Sequence, residues 1–243
     1  MPIILASASP RREALLTQIG LPFRVEPSSV SEEKARRPGD PASFVEQAAL
    51  AKAEEVAARI RDGLVLGADT VVVIGRQVLG KPASAAQARR MLERLSGATH
   101  RVYTGLALVQ VKGGKVRRRR TAHEVTAVTM RRLTPQDIAG YVATGEPLDK
   151  AGGYGIQGCG AMLVERIEGC YFNVVGLPLA RLAKMLGEFG VRAWQDEPAI
   201  SGNRSGHWAR LRQKARDPRG QATARPVKGP GRRARAPGAE ARP

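Results

Sequence analysis

The chain has 243 residues, with 40 Lys and Arg against 22 Asp and Glu, a formal charge of +18. That excess points to an anionic partner such as nucleic acid, an acidic membrane surface or a small polyanion. An apolar content of 42% excludes wholesale disorder, and two cysteines, Cys159 and Cys170, exclude a disulfide scaffold. No apolar run approaches the roughly 20 residues of a membrane span. The first residues, Met1-Pro2-Ile3-Ile4-Leu5, lack the basic and apolar regions of a secretory signal. A soluble protein of the reducing cytoplasm, with no membrane partner, is therefore expected.

In chain order, residues 2–6 read as a short buried strand running into Ser7-Ala8-Ser9-Pro10-Arg11-Arg12. Ser9 suits an N-cap and Pro10 the first helical position, while Gly20 and Pro22 mark the helix's end. A second helix is predicted from Asp40-Pro41 to about Arg61. Residues 64–74 form a β-branched run, closed by a turn at Gly75 and continued by Val78-Leu79. Ser84 and Gln87 have capping-box spacing for a helix reaching about Leu95. Residues 102–111 and 124–132 read as strands joined by a turn at Gly113-Gly114, with Arg117, Arg118, Arg119 and Arg120 beside it. Thr134-Pro135 and Asp137 open another helix, and residues 177–189 form the last. Strands interleaved with helices, plus one hairpin, predict an α/β fold with a mixed sheet over residues 1–195. Residues 201–243 hold twelve Lys and Arg against two acids, with Trp208 as the only aromatic, so residues 196–243 read as a disordered basic tail. The first 200 residues keep 28 Lys and Arg against 20 acids, so more than half of the net charge belongs to that tail.

Several side chains break the local pattern. Arg11 and Arg12, in the first turn of a helix, oppose the positive end of its dipole. An anion held by backbone N–H groups, the Ser9 hydroxyl and the guanidinium groups would explain them; so would solvation, or a split with one inward and one outward. Asp69 lies within Leu64-Val65-Leu66-Gly67-Ala68-Asp69-Thr70-Val71-Val72-Val73, where a carboxylate needs a hydrogen-bond partner, a cation or a metal. Lys52 falls at the centre of a helical stripe of Val45, Ala49, Val56 and Ile60, and either snorkels or enters a cleft. Lys81, in Gly80-Lys81-Pro82, offers a further cation, next to a proline that restricts the backbone. Glu33 could join Asp69 in supplying the hard oxygen ligands that Mg²⁺ or Mn²⁺ prefers. The glycine-dense segment 146–158 permits close backbone approach to a ligand or forms a surface loop, and His100 reads as a structural hydrogen-bonding residue. No phosphate-binding G-x-x-x-x-G-K-[ST] loop, no G-x-G-x-x-G after a strand and no G-x-S-x-G elbow occurs, which argues against a kinase, a dehydrogenase and an α/β-hydrolase.

Taken together, Leu5-Ala6-Ser7-Ala8-Ser9-Pro10-Arg11-Arg12, Gly67-Ala68-Asp69-Thr70-Val71-Val72, Gly80-Lys81-Pro82, Ser96-Gly97 with Thr99-His100, Asp149-Lys150-Ala151-Gly152, Tyr154-Gly155-Ile156-Gln157-Gly158 and Asn173-Val174-Val175-Gly176-Leu177-Pro178 resemble the Maf family of nucleoside triphosphate pyrophosphatases. The resemblance runs from about residue 3 to 190 and leaves out the tail. It implies an elongated mixed sheet with flanking helices, in two lobes around a cleft, similar to inosine triphosphate pyrophosphatases. It also implies hydrolysis of a nucleoside triphosphate between its α and β phosphates with a divalent metal, Mg²⁺ or Mn²⁺. By position, Asp69 matches the acceptor of the water proton, while Ser9, Arg12, Glu33, Lys52 and Lys81 match polar cleft residues. Arg11 or Arg12, with Lys52 and Lys81, would stabilise the departing diphosphate. Arg12, Thr70 and Gln157 fall where the branches differ in base preference, and their combination resembles the branch acting on dTTP and UTP, whose substrates could include modified pyrimidine nucleotides. The same fold acting on 7-methyl-GTP is the alternative, and the analogy suggests a homodimer. A competing reading from another class is a nucleic-acid-binding protein using the basic tail and the arginines at 117–120, although the tail has almost no aromatic residues for base stacking and no recognisable nucleic-acid module.

Overall fold

The computed structural model describes residues 1–30 and 40–192. Glu33 and the basic tail lie outside the described residues. The first strand, β1 (Ile3–Leu5), leads into α1 (Pro10–Gln18), which takes Ser9 as N-cap residue and Pro10 at its first position, as the sequence predicts. The Ser9 side chain makes no cap hydrogen bond. After α1 comes a three-residue strand, β2 (Phe23–Val25), which the sequence pattern does not announce. Helix α2 (Pro41–Ala57) begins at an Asp40 whose carboxylate accepts from the Ser43 N–H, and it ends about four residues earlier than expected. Strand β3 (Gly63–Ile74) turns back into β4 (Gln77–Leu79), and α3 (Ala85–Leu95) follows on the Ser84 cap. The Gln87 side chain accepts from the Ala83 N–H rather than from the cap residue, so only half of the expected capping box forms.

The hairpin is longer than the sequence suggests: β5 (Thr99–Lys112) and β6 (Lys115–Met130) pair through the Gly113-Gly114 turn. The arginines at 117–120 belong to β6 rather than flanking the turn. Two-residue alternation explains this: Arg118 and Arg120 reach Glu188 on one face, while Arg119 reaches Glu54 on the other. Helix α4 (Pro135–Ala143) has a complete Thr134/Asp137 capping box. Short 3₁₀ turns lead to β7 (Val164–Glu168), the five-residue α5 (Tyr171–Val175) and α6 (Leu179–Glu188).

The seven strands form one mixed sheet, in the order β2-β1-β3-β5-β6-β7, with β4 also paired to β3. Strand β1 runs parallel to β2 and β3, and the other pairings are antiparallel. Side chains alternate between faces, so the core is divided. Leu64, Leu66, Leu106 and Leu108 pack under α1 and α6, whereas Val65, Ala107 and Val109 pack against α2 on the opposite face. Further along the strands, Val72, Val102 and Val128 join α3 and α4 in a separate cluster.

Two features of this sheet position the cleft. On one edge β3 is paired with β1 only up to Leu66 and with β4 only from Val72, so residues 67–71 face a gap in the sheet. On the α2 face, Gly67 and Gly105 leave room for the helix backbone: a Cβ on either would come 2.1 Å from a carbonyl oxygen of Ala49 or Val45. Glycine is thus required for this close helix–sheet contact.

Candidate active site

At the gap, Asp69 and Thr70 point to opposite faces of β3, as consecutive strand residues must. On the α2 side, Lys52 Nζ lies 2.7 Å from Asp69 Oδ1, and both residues are more than nine-tenths buried. The two sequence anomalies therefore explain each other. The lysine neither snorkels nor stands alone; the close approach of α2 over Gly67 and Gly105 carries it onto the carboxylate.

On the other side, Arg12 is buried and held by the protein. Its Nε donates to Gly176 O at 2.9 Å, Nη1 to Ser7 Oγ at 3.0 Å and Nη2 to Thr70 Oγ1 at 3.1 Å. Arg11 takes the other course, reaching Asp149 at 2.8 Å across the mouth of the cleft. The arginine pair is thus split. Lys150 binds the other oxygen of Asp149 at 2.7 Å and also donates to Glu146 O. Partial burial pushes the Asp149 carboxyl up, but hydrogen bonds from Lys150 and Arg11 outweigh it, and the net shift is downward.

The glycine-dense segment is a shaped wall of the cleft. Gly152, at φ 74°, packs where a Cβ would press on the Val72 side chain at 3.0 Å. The Glu146 carboxylate ties the wall down by accepting from Tyr141 OH and the N–H groups of Cys159 and Gly160. Tyr154 anchors it to the sheet, with its hydroxyl 2.6 Å from His100 Nε2. Burial pushes His100 down to about 4 and raises Tyr154, so both stay neutral around pH 7. His100 is structural, as its sequence context suggests.

The resulting cleft has a volume of about 390 Å³. Ser9, Arg11, Arg12, Lys52, Asp69, Thr70, Lys81 and Gln157 all line it. Counting Lys150, five cations face two carboxylates, Asp69 and Asp149, among the described residues. Glu33, expected as a second metal ligand, lies outside the described residues. Within them no cluster of three His, Cys, Asp or Glu could enclose a metal. A deep carboxylate oxygen, with the other positions left to phosphate and water, is nevertheless the donor chemistry that suits Mg²⁺ or Mn²⁺.

Thr104 carries no signal in the sequence, and Ser7 and Asn173 stand in recognisable blocks without a role of their own, yet the three hold the Arg12–Thr70 side together. Small polar residues are unexceptional in strands and turns, and only the strand register shows that Thr104 sits opposite Thr70. Asp149 and Lys150 stand in a recognisable block, but nothing local announces their bridge to Arg11.

An α/β protein with a cation-lined cleft at a gap in its mixed sheet is the class that fold and geometry define. Comparison with known proteins makes this specific. The family described as "Maf-like protein" matches residues 2–189, and the chain belongs to it. A dTTP/UTP pyrophosphatase of Moorella thermoacetica is 58% identical over 192 residues, 79% of this chain and 97% of that protein. One from Gloeobacter violaceus is 53% identical over 192 residues, covering 79% and 98%. Among solved structures, a dITP/XTP pyrophosphatase from Mycobacterium abscessus aligns over 55% of this chain and 76% of its own, with 19% identity and a TM-score of 0.34. No helix among the described residues is long and apolar enough to cross a membrane.

Proposed function

We propose that the protein hydrolyses dTTP and UTP between the α and β phosphates, releasing the nucleoside monophosphate and diphosphate. The observation that carries this reading is the buried Asp69–Lys52 pair opening into a cleft with an excess of cations. Water attacks the α phosphorus, the bond to the bridging oxygen breaks, and the water's proton passes to the carboxylate of Asp69. Lys52 holds Asp69 Oδ1 in place. Charge that builds on the departing diphosphate meets the fixed cations Arg11 and Lys81 at the cleft wall. A divalent cation, Mg²⁺ or Mn²⁺, held by Asp69 together with substrate phosphates, would supply Lewis-acid polarisation. Thr70 and the exposed Gln157 face the base. The relatives' activity on dTTP and UTP supports the pyrimidine assignment, and the matching Arg12, Thr70 and Gln157 agree with it. Such an enzyme would act on the cytoplasmic nucleotide pool.

The test is a panel of nucleoside and deoxynucleoside triphosphates, each supplied with Mg²⁺ or Mn²⁺ and assayed for diphosphate release. Turnover of dTTP and UTP is expected, with Asp69→Asn lowering it by about two decades or more while circular dichroism is unchanged. No release from either nucleotide, or full release by the variant, refutes the proposal. Preference for 7-methyl-GTP would keep the reaction and move the protein to the other branch.

A further inference from the structure

Behind Thr70 runs a chain of hydrogen bonds whose direction is fixed at both ends. Arg12 Nη2 donates to Thr70 Oγ1, Thr70 Oγ1 lies 2.9 Å from Thr104 Oγ1, and Thr104 Oγ1 lies 3.0 Å from the backbone oxygen of Asn173. A guanidinium only donates and a carbonyl only accepts, while each hydroxyl has one proton. Thr104 therefore gives its proton to Asn173 and must accept from Thr70. Thr70, already accepting from Arg12, spends its own proton on Thr104. What it can offer the cleft is a lone pair.

The far end of this chain is anchored. Asn173 is fully buried, and its amide nitrogen donates to Val102 O at 3.0 Å and Thr126 Oγ1 at 2.9 Å, spanning β5 and β6. Thr104 is likewise fully buried and does not line the cleft. Thr70 is half-buried and does. Ile156, Val174 and Val175 also line the cleft, apolar surface that suits a flat base.

We propose that Thr104 is a positioning residue that makes Thr70 an obligate hydrogen-bond acceptor, so that the site selects a base presenting an N–H there. Uracil and thymine carry such a donor in their imide N–H. Cytosine presents an unprotonated ring nitrogen at the corresponding position, so two acceptors would face each other without a proton between them. Leaving polar groups unpaired in a desolvated site is an effective means of rejection. The inference rests on the dTTP/UTP reading above and extends it to residues that cannot touch the nucleotide.

The experiment compares kcat/KM for UTP and CTP in the wild-type protein, Thr104→Val and Thr104→Ser. Removing the Thr104 hydroxyl frees the Thr70 proton to turn toward the cleft, so T104V should lower the UTP:CTP ratio by about tenfold or more. T104S keeps the hydroxyl and should retain the wild-type ratio. A purely structural role would lower both substrates together and leave the ratio unchanged. An unchanged ratio in T104V, or an equal loss in T104S, overturns the inference; if T104V does not fold, Thr104→Ala is judged by the same criteria. Wild-type protein that turns over neither UTP nor dTTP would remove the functional reading and this inference with it. A wild type that prefers UTP, with a ratio indifferent to Thr104, removes this inference alone.

Discussion

Replacing Gly105 by alanine tests whether direct helix–sheet contact builds the active site. The new Cβ would lie 2.1 Å from Val45 O, 2.3 Å from Val45 C and 2.7 Å from Glu46 N. All three are backbone atoms, so no side-chain rotation relieves the clash. To restore ordinary contact, α2 must retreat by more than about 1 Å. Overpacking against backbone lies at the upper end of the usual cost, about 3 kcal/mol. For a folded unit of this size that corresponds to a melting temperature lower by about 6–12 °C. The same displacement lengthens the 2.7 Å contact between Lys52 and Asp69, because Asp69 is paired in register with Gly105 and Lys52 rides on α2. A misplacement of that size costs about two decades in turnover. Thermal melts and initial rates of diphosphate release are the assays, with Gly140→Ala in α4 as control. A Cβ at Gly140 meets nothing within 4 Å, and the substitution should stabilise the helix by up to about 1 kcal/mol. If G105A melts within about 1 °C of the wild type and keeps its turnover, the contact does not hold the pair in place.

The histidine behind the cleft predicts an acid-sensitive stability. Its folded pKa, about 4, is depressed below the ordinary 6.5, so the unfolded chain takes up the proton first. This contribution is complete above pH 6.5 and is lost as the pH falls toward 4, about 2 kcal/mol of it by pH 5. Denaturant titrations at pH 7 and pH 5 should show that loss in the wild type and a flatter response in His100→Gln; parallel responses would refute it. At the start of α4, Thr134→Ala removes the side chain that accepts from the Asp137 N–H at 3.1 Å and should cost about 1 kcal/mol, read in the same titrations.

The strand–turn–helix opening, the β3 run and the α4 cap were legible because each carries a strong local signal: β-branched residues, an N-cap residue, a proline at the first helical position. Strands β2 and β7 and helix α5 were not, being three to five residues long. The arginines at 117–120 concealed the first half of β6, since a basic run reads as exposed loop unless the acids awaiting it on both faces are known. In the cleft, Asp69 and Lys52 were conspicuous because a charge within an apolar pattern needs an explanation. Their mutual contact was invisible, since it depends on how near α2 can come to the sheet. Thr104 gave no signal, because a threonine in a strand is commonplace, and Asn173, within the short α5, stood in a recognisable block that did not disclose its partners. Their significance comes from register.

The gap in the sheet has a consequence for how such a protein can change. A ligand lodged there meets groups from both faces of one strand: Lys52 and Asp69 on the first, Arg12 and Thr70, backed by the buried Thr104, on the second. One strand's thickness separates the groups assigned to bond cleavage from those assigned to the base. Substitutions beneath Thr70 can therefore be sampled without moving the acid–lysine pair, and a lineage can diversify in the nucleotide it accepts while keeping its chemistry intact.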